Sequence, residues 1–254
     1  MLPGAAGKVI LEMIDFHTHI LPNIDDGSHN VQESITMLKQ SFAQGIDTVV
    51  LTSHFRRGEH KIGTWLRDRQ DRLDWIREAL TDEDRLMVPR VVLGSEVEYI
   101  PGMNSWDYLD ELQIKGTGYI LTEMPFIPWS DSVVKTIDDI ALNSPLTPIL
   151  PHIDRYFLNF TPKKYIEHYY DMDEVLIQMN AIYINNYSNI QFFKPLLEER
   201  KIHLLGSDCH SCEWRPPDLG RAIRMIREVC GQEILDEIDA RGREILKNAE
   251  IITL

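Results

Sequence analysis

Basic residues are in short supply. The chain has 26 Lys and Arg against 40 Asp and Glu in 254 residues, a formal net charge of −14. That excess argues against general binding to nucleic acid or to an anionic membrane. Cysteine is scarce and odd in number, at three, so no disulfide framework is expected and a reducing cytoplasm is favoured. No apolar run approaches the roughly 18 residues that a membrane span needs. Met1 to Glu12 holds only a very short apolar run, Val9-Ile10-Leu11, and reads as an N-terminal extension rather than a signal peptide. Low-complexity linkers, internal repeats and composition breaks are missing as well. Residues 1–254 therefore read as a single domain. Its length allows one α/β barrel, and 43% hydrophobic with 26% charged residues is the balance of a globular protein.

What is present is an alternation of strand and helix signals. Strands are expected at 13–16, 47–52, 88–98, 119–124, 147–150, 175–180 and 202–207. Helices are expected at 32–44, 66–80, 131–143, 162–171, 189–200, 219–229 and 234–248. About seven βα units imply an α/β fold with a mostly parallel sheet, closure into a barrel being plausible.

The chemistry follows the strand ends. Asp15-Phe16-His17-Thr18-His19 ends the first strand, and Asp25-Asp26-Gly27-Ser28 follows in a loop. Alternate side chains of a strand point the same way, so His17 and His19 project together and Thr18 faces away. Paired neutral imidazoles are ready metal ligands. Later strand ends bring His54, Glu96, Glu123, His152 with Asp154 and Arg155, and Asp208 with His210. In a parallel barrel these ends face one side, where the active site is built. Five histidines (17, 19, 54, 152, 210) and four carboxylates (26, 96, 123, 208) then converge. Four clustered carboxylates repel unless cations bind them. Two divalent ions cancel their charge, and three leave the site positive. Mixed nitrogen and oxygen ligands suit manganese, iron or zinc better than calcium.

The sequence resembles the bacterial PHP-domain tyrosine-protein phosphatases, the capsule and exopolysaccharide regulatory phosphatases. The matching stretches are residues 15–28, Leu51-Thr52-Ser53-His54, Gly94-Ser95-Glu96-Val97-Glu98-Tyr99 and Leu121-Thr122-Glu123-Met124. They continue with Pro151-His152-Ile153-Asp154-Arg155-Tyr156, Gln178-Met179-Asn180, Ser207-Asp208-Cys209-His210 and Arg215-Pro216-Pro217. The resemblance implies a distorted seven-stranded (β/α) barrel with a trinuclear metal centre, manganese foremost, at the C-terminal strand ends. By that likeness His17, His19 and Asp208 hold one ion, Glu96 bridges, and Glu123 and His152 complete the second. Asp26, His54 and His210 hold the third. Arg155 and Arg215 match phosphate-binding arginines, in keeping with the bidentate fit of guanidinium to phosphate. The implied reaction is metal-assisted hydrolysis of phosphotyrosine, with Asp26 or a water protonating the leaving oxygen. The implied partner is a bacterial tyrosine autokinase that controls polysaccharide export. Asp154 departs from the family's more usual Glu, and Pro151 from its usual small residue.

Other features leave alternatives. Arg56, Arg57 and Lys61 form a basic loop beside His54, either a phosphopeptide attractor or an ordinary solvated loop. Cys209 and Arg215 are separated by five residues, as in a cysteine phosphatase, but the loop has no glycine, contains Glu213 and runs into Pro216 and Pro217. Few of its amides could turn towards a phosphate, and alternation turns Cys209 away from Asp208 and His210. The Cys209–Cys212 spacing lacks a second pair. An amidohydrolase-type hydrolase also begins with HxH, but lacks a need for four carboxylates and these arginines. Histidinol phosphate is a further possible substrate. His29, His60 and His168 read as surface residues, and His203 as the far end of the last strand. Trp129 and Trp214 follow strand ends, where either could stack on a tyrosine ring or simply pack.

Overall fold

The computed structural model describes residues 13–158 and 161–254. The expected extension of residues 1–12 lies outside the described residues. Among the described residues nine strands are present: β1 (Met13–Thr18), β2 (Ile46–Leu51), β3 (His54–Phe55), β4 (Arg90–Leu93), β5 (Glu96–Glu98), β6 (Tyr119–Glu123), β7 (Thr147–Leu150), β8 (Leu176–Asn180) and β9 (Leu204–Gly206). They form one sheet of order β1-β2-β4 and one of order β3-β5-β6-β7-β8-β9. Every pairing within them is parallel. A parallel bridge between Thr18 and Cys209 brings the end of β1 beside the segment that follows β9. Two backbone bonds reinforce it, Asp208 N to His17 O at 2.7 Å and His19 N to Cys209 O at 2.9 Å.

These nine exceed the seven expected because the expected strand 88–98 is broken into β4 and β5, and a short β3, outside every expected strand, follows β2. Thr52-Ser53 separates β2 from β3, and Gly94-Ser95 separates β4 from β5. At the second break the buried Arg69 donates from Nη1 to Gly94 O and to Ser95 Oγ, both at 2.9 Å. The Gly94 carbonyl is thus bonded to a side chain rather than to a neighbouring strand. At the first, Thr52 Oγ1 donates to Thr18 O at 3.1 Å and accepts from Thr18 N at 3.0 Å. A side chain again stands in for the neighbouring strand.

The helices are α1 (Val31–Ala43), α2 (Ile62–Ala79), α3 (Asp82–Arg85), α4 (Asp131–Asn143), α5 (Ile153–Leu158), α6 (Lys163–Glu167), α7 (Tyr187–Glu198), α8 (Leu219–Val229) and α9 (Gln232–Ile245). Asn30 caps α1 by accepting from Glu33 N at 3.0 Å, a contact worth about 1 kcal/mol. Strand parity divides the core. Ile14, Phe16, Val50, Val92, Leu121, Ile149, Leu176 and Leu204 meet in one inner cluster. The opposite faces of the same strands, such as Val49, Leu51, Val91 and Ile177, join the larger cluster that includes the helix residues Leu38, Leu73, Ile137 and Ile226. The inner cluster forms the floor beneath the strand ends, where the polar residues collect. Among the described residues no helix is long and apolar enough to cross a membrane.

Candidate active site

His17 and His19 end β1 with their rings fully buried. His17 Nδ1 lies 3.2 Å from Gln178 Oε1 on β8, and His19 Nδ1 lies 2.8 Å from Asp25 Oδ2. An oxygen acceptor at each Nδ1 keeps the proton there and aims the Nε2 lone pair the other way. The two Nε2 atoms are 3.1 Å apart. Glu96 Oε2 stands 3.0 Å from the first and 3.2 Å from the second. Asp208 Oδ1 is 3.5 Å from both. Four electron-rich atoms thus enclose one point, and protons or a cation must lie among them. Ligands about 2.1 Å from a shared ion sit about 3.0 Å apart at right angles and about 3.4 Å apart in a tetrahedron. The observed edges have that spacing, so the residues fit an ion.

Glu96 opens β5 and faces two ways. Its other oxygen, Oε1, is 2.9 Å from His152 Nε2, which is 3.5 Å from Glu123 Oε1. His54 Nδ1 lies 3.2 Å from Glu96 Oε2 and 3.8 Å from Glu123 Oε2. That nitrogen is buried and makes no hydrogen bond, an orphaned donor site that an ion would satisfy. A third group comprises His19, Asp26, His54 and His210, whose ligand atoms lie within 4.8 Å of one another. Asp26 Oδ1 is 3.5 Å from His54 Nε2 and 3.7 Å from His210 Nε2. The Asp26 side chain is 61% exposed, so this group forms the open rim. Glu96 and Glu123 carry oxygens within 4.8 Å of each other. Their repulsion is on the order of 3 kcal/mol at an effective dielectric of about 20.

Protonation follows from this crowding. Burial opposes charge on His19, yet Asp25 and Glu96 outweigh it and lift its pKa to about 10. Burial opposes charge on His152 too, and Glu123 with Glu96 lifts it to about 9. His210 goes the other way, down to about 3, through burial and the positive His19. Burial likewise lowers His54. Burial would raise Asp208, but His17, Arg155 and Arg215 hold it well below the usual carboxylate range.

Asp208 links the ligand cluster to the arginines. While Oδ1 faces His17 and His19, Oδ2 accepts from Arg155 Nη2, is ion-paired with Arg215 Nη2, and accepts from Asn180 Nδ2 at 2.7 Å. Both arginines are partly exposed, as groups that meet a solvent-borne anion must be. The backbone is strained at two of these residues, with φ +54° at Asp208 and +38° at His152. Non-glycine residues hold such angles only where surrounding structure over-determines them. Two glycines allow the close packing. A Cβ on Gly27 would meet His19 O at 2.2 Å, and one on Gly206 would meet the His17 Cβ at 2.5 Å.

All nine expected ligands (His17, His19, Asp26, His54, Glu96, Glu123, His152, Asp208, His210) come together, and Arg155 and Arg215 adjoin them. Arg56 follows β3 and its charge acts on His54. Among the described residues no carboxylate lies within ion-pair distance of Arg56 or Arg57, and Arg57 stacks over Trp106 at 4.6 Å. Three orienting residues escaped the sequence reading. Asp25, in the loop after the first strand, holds His19 and accepts from His54 N at 2.9 Å. Gln178 holds His17 and accepts from His152 N at 3.0 Å, and Asn180 holds Asp208. Their signal was parity, since residues 178 and 180 share one face of β8.

One open alternative is decided and two expectations need correction. Trp129 is buried and packs on Tyr156 with ring centroids 4.9 Å apart, so it has no free face for a substrate ring. His60 is not simply at the surface, because its ring lies against Phe55 and Trp65. Arg155 sits on α5, a short helix absent from the expected set, which starts directly after the strained His152. Cys209 is fully buried in the apolar core, and burial pushes its thiol far up. A thiolate nucleophile is incompatible with that setting.

Comparison with known proteins agrees with this picture. Tyrosine-protein phosphatase CpsB of Streptococcus agalactiae serotype V is 27% identical over 252 residues, covering 93% of this chain and 99% of its own. Tyrosine-protein phosphatase YwqE of Bacillus subtilis is 27% identical over 247 residues, covering 94% of this chain and 93% of its own. The fold matches a chain from the crystal structures of B. subtilis YwqE and Streptococcus pneumoniae CpsB, described as unique metal-dependent tyrosine phosphatases. That match has a TM-score of 0.78 and 24% identity, over 95% of this chain and 97% of the other. The family model for capsular polysaccharide synthesis proteins CpsB/CapC matches residues 13–247, and the chain belongs to that family.

Proposed function

We propose that this chain is a metal-dependent protein-tyrosine phosphatase that hydrolyses phosphotyrosine in a bacterial tyrosine autokinase controlling polysaccharide export. The observation that carries the reading is the double engagement of Asp208. One oxygen belongs to the imidazole and carboxylate cluster, and the other holds Arg155 and Arg215 at its edge. A phosphate resting on the cluster would find two guanidiniums already in place. The CpsB and YwqE relatives support the choice of phosphotyrosine.

In this reading His17, His19 and Asp208 hold one divalent ion, with Glu96 shared. Glu123 and His152 complete a second, and Asp26, His54 and His210 hold a third. Manganese suits the mixed donor set best, with iron or zinc as alternatives. When bound, such ions stabilise negative charge and lower the pKa of a water molecule. Arg155 and Arg215 bind the phosphate oxygens and neutralise charge that develops there. Asp26, open to solvent, can pass a proton to the leaving phenolate oxygen. Arg56 contributes attraction to the anionic peptide. We read the two sheets as one distorted seven-stranded barrel, with β2–β3 and β4–β5 each one broken strand. The inner cluster, to which seven strands contribute, supports that count. The setting is the cytoplasm.

The test is phosphate release from a phosphotyrosine peptide by metal-stripped protein, with and without manganese, beside Cys209→Ser. Activity that requires the metal and survives the cysteine change is expected. Full activity of the stripped protein together with a dead Cys209→Ser variant would overturn the reading.

A further inference from the structure

The loop after β6 carries Phe126 to the mouth of the site. Its ring is stacked on the ring of His152, with centroids 5.7 Å apart and planes at 25°. The Tyr156 ring lies 5.8 Å away from it on the buried side. The Arg155 guanidinium is 6.0 Å from its centroid, at the outer reach of a cation–π contact. Phe126 is nonetheless 47% exposed. Tyr156, beside it, is wholly buried. The open part of the Phe126 ring lies beside a guanidinium that is paired with Asp208 at the edge of the ligand cluster.

We infer that Phe126 is the leaving-group platform of the site, an aromatic wall that selects aryl over alkyl phosphate monoesters. The inference rests on the phosphatase reading above and names the residue that sets its substrate class. Geometry carries it. A phosphate held by Arg155 beside His152 has its ester oxygen close to both, and the exposed Phe126 ring has its centroid 5.7 Å from that of His152 and 6.0 Å from the guanidinium. A phenyl group on that oxygen can lie in offset stacking on Phe126, an arrangement worth about 0.5–1.5 kcal/mol beyond the area it buries. An alkyl ester has no π face to offer. His152 and Tyr156 fix the ring from behind, so little side-chain freedom is lost when the substrate lands.

The experiment compares kcat/KM for phosphotyrosine and for phosphoserine, with manganese-loaded parent, Phe126→Ala, Phe126→Leu and Phe126→Tyr. The readout is the aryl-to-alkyl ratio within each protein, which cancels differences in folded or metal-loaded fraction. Phe126→Ala and Phe126→Leu should lower the ratio about 3- to 10-fold, and Phe126→Tyr should keep it within about twofold. The Leu variant retains apolar area, so its loss isolates the ring. Equal losses on both substrates would reduce Phe126 to packing for His152 and overturn the inference, as would an unchanged ratio. A parent inactive on every phosphate ester would instead sink the phosphatase reading and the inference with it.

Discussion

Asp25 Oδ2 accepts hydrogen bonds from His19 Nδ1 at 2.8 Å and from the backbone N–H of His54 at 2.9 Å. One buried carboxylate therefore sets the tautomer of one proposed ligand and the position of another. Asp25→Asn keeps the shape but removes the charge that favours Nδ1–H. Metal affinity should fall about 10- to 100-fold, read by manganese titration, with the folded state retained in circular dichroism. Affinity equal to the parent's would show that Asp25 only shapes the loop.

Arg155 and Arg215 converge on the same Asp208 oxygen, and lysine cannot reproduce that planar fork. Arg155→Lys should cost about 100-fold in kcat/KM for a phosphotyrosine peptide. Bound manganese should be unchanged, because Asp208 Oδ1 still faces His17 and His19. A comparable loss of metal would make the arginine a structural prop of the cluster.

The pH response has opposite signs for the stripped and the loaded protein. His19 and His152 have folded pKa values raised to about 10 and about 9. Their contribution to stability is full below the unfolded histidine value of about 6.5 and disappears as pH rises through those raised values. The melting temperature of chelator-stripped protein should therefore drop between about pH 7 and pH 10. Ion binding must displace the same protons, so manganese affinity should rise over that range, by up to about tenfold per pH unit for each proton released. Parallel trends in the two measurements would contradict this linkage.

Cys209→Ser should leave turnover per bound metal near that of the parent. Its cost falls on stability instead. Cys209 is wholly buried and packed in the larger core cluster, and exchanging its sulfur for a smaller, more polar hydroxyl there costs about 0.5–3 kcal/mol. Thermal melting and a phosphotyrosine assay on the same sample separate the two effects.

Much of the site was legible because its chemistry is tied to strand ends. His17 and His19 could be paired from parity alone, and the acids and imidazoles at 54, 96, 123, 152, 208 and 210 fell in phase with the later strands. What escaped was set by side chains distant in sequence. The break at Gly94-Ser95 depends on Arg69 reaching across from α2, which no local pattern displays. The choice between Asp25 and Asp26 was equally hidden. Adjacent acids in a loop look alike in sequence, yet one is buried against His19 and the other stands open at the rim. The helix α5 is not legible because it is short and starts directly after a residue with positive φ, where propensity gives no start signal.

The junction of β1 with β9 also bears on how the protein is made. Asp15 Oδ1 accepts from Ser207 N across 192 residues of sequence, and His17 faces Asp208 in the same seam. During synthesis the histidines of the first strand emerge long before their acidic partner. The nascent chain thus carries the cluster of His17, His19 and Asp208 incomplete until the last strand has left the ribosome. Completion of that cluster is a late event of biogenesis, and a prematurely terminated product would lack Asp208 and with it the link from the imidazoles to Arg155 and Arg215.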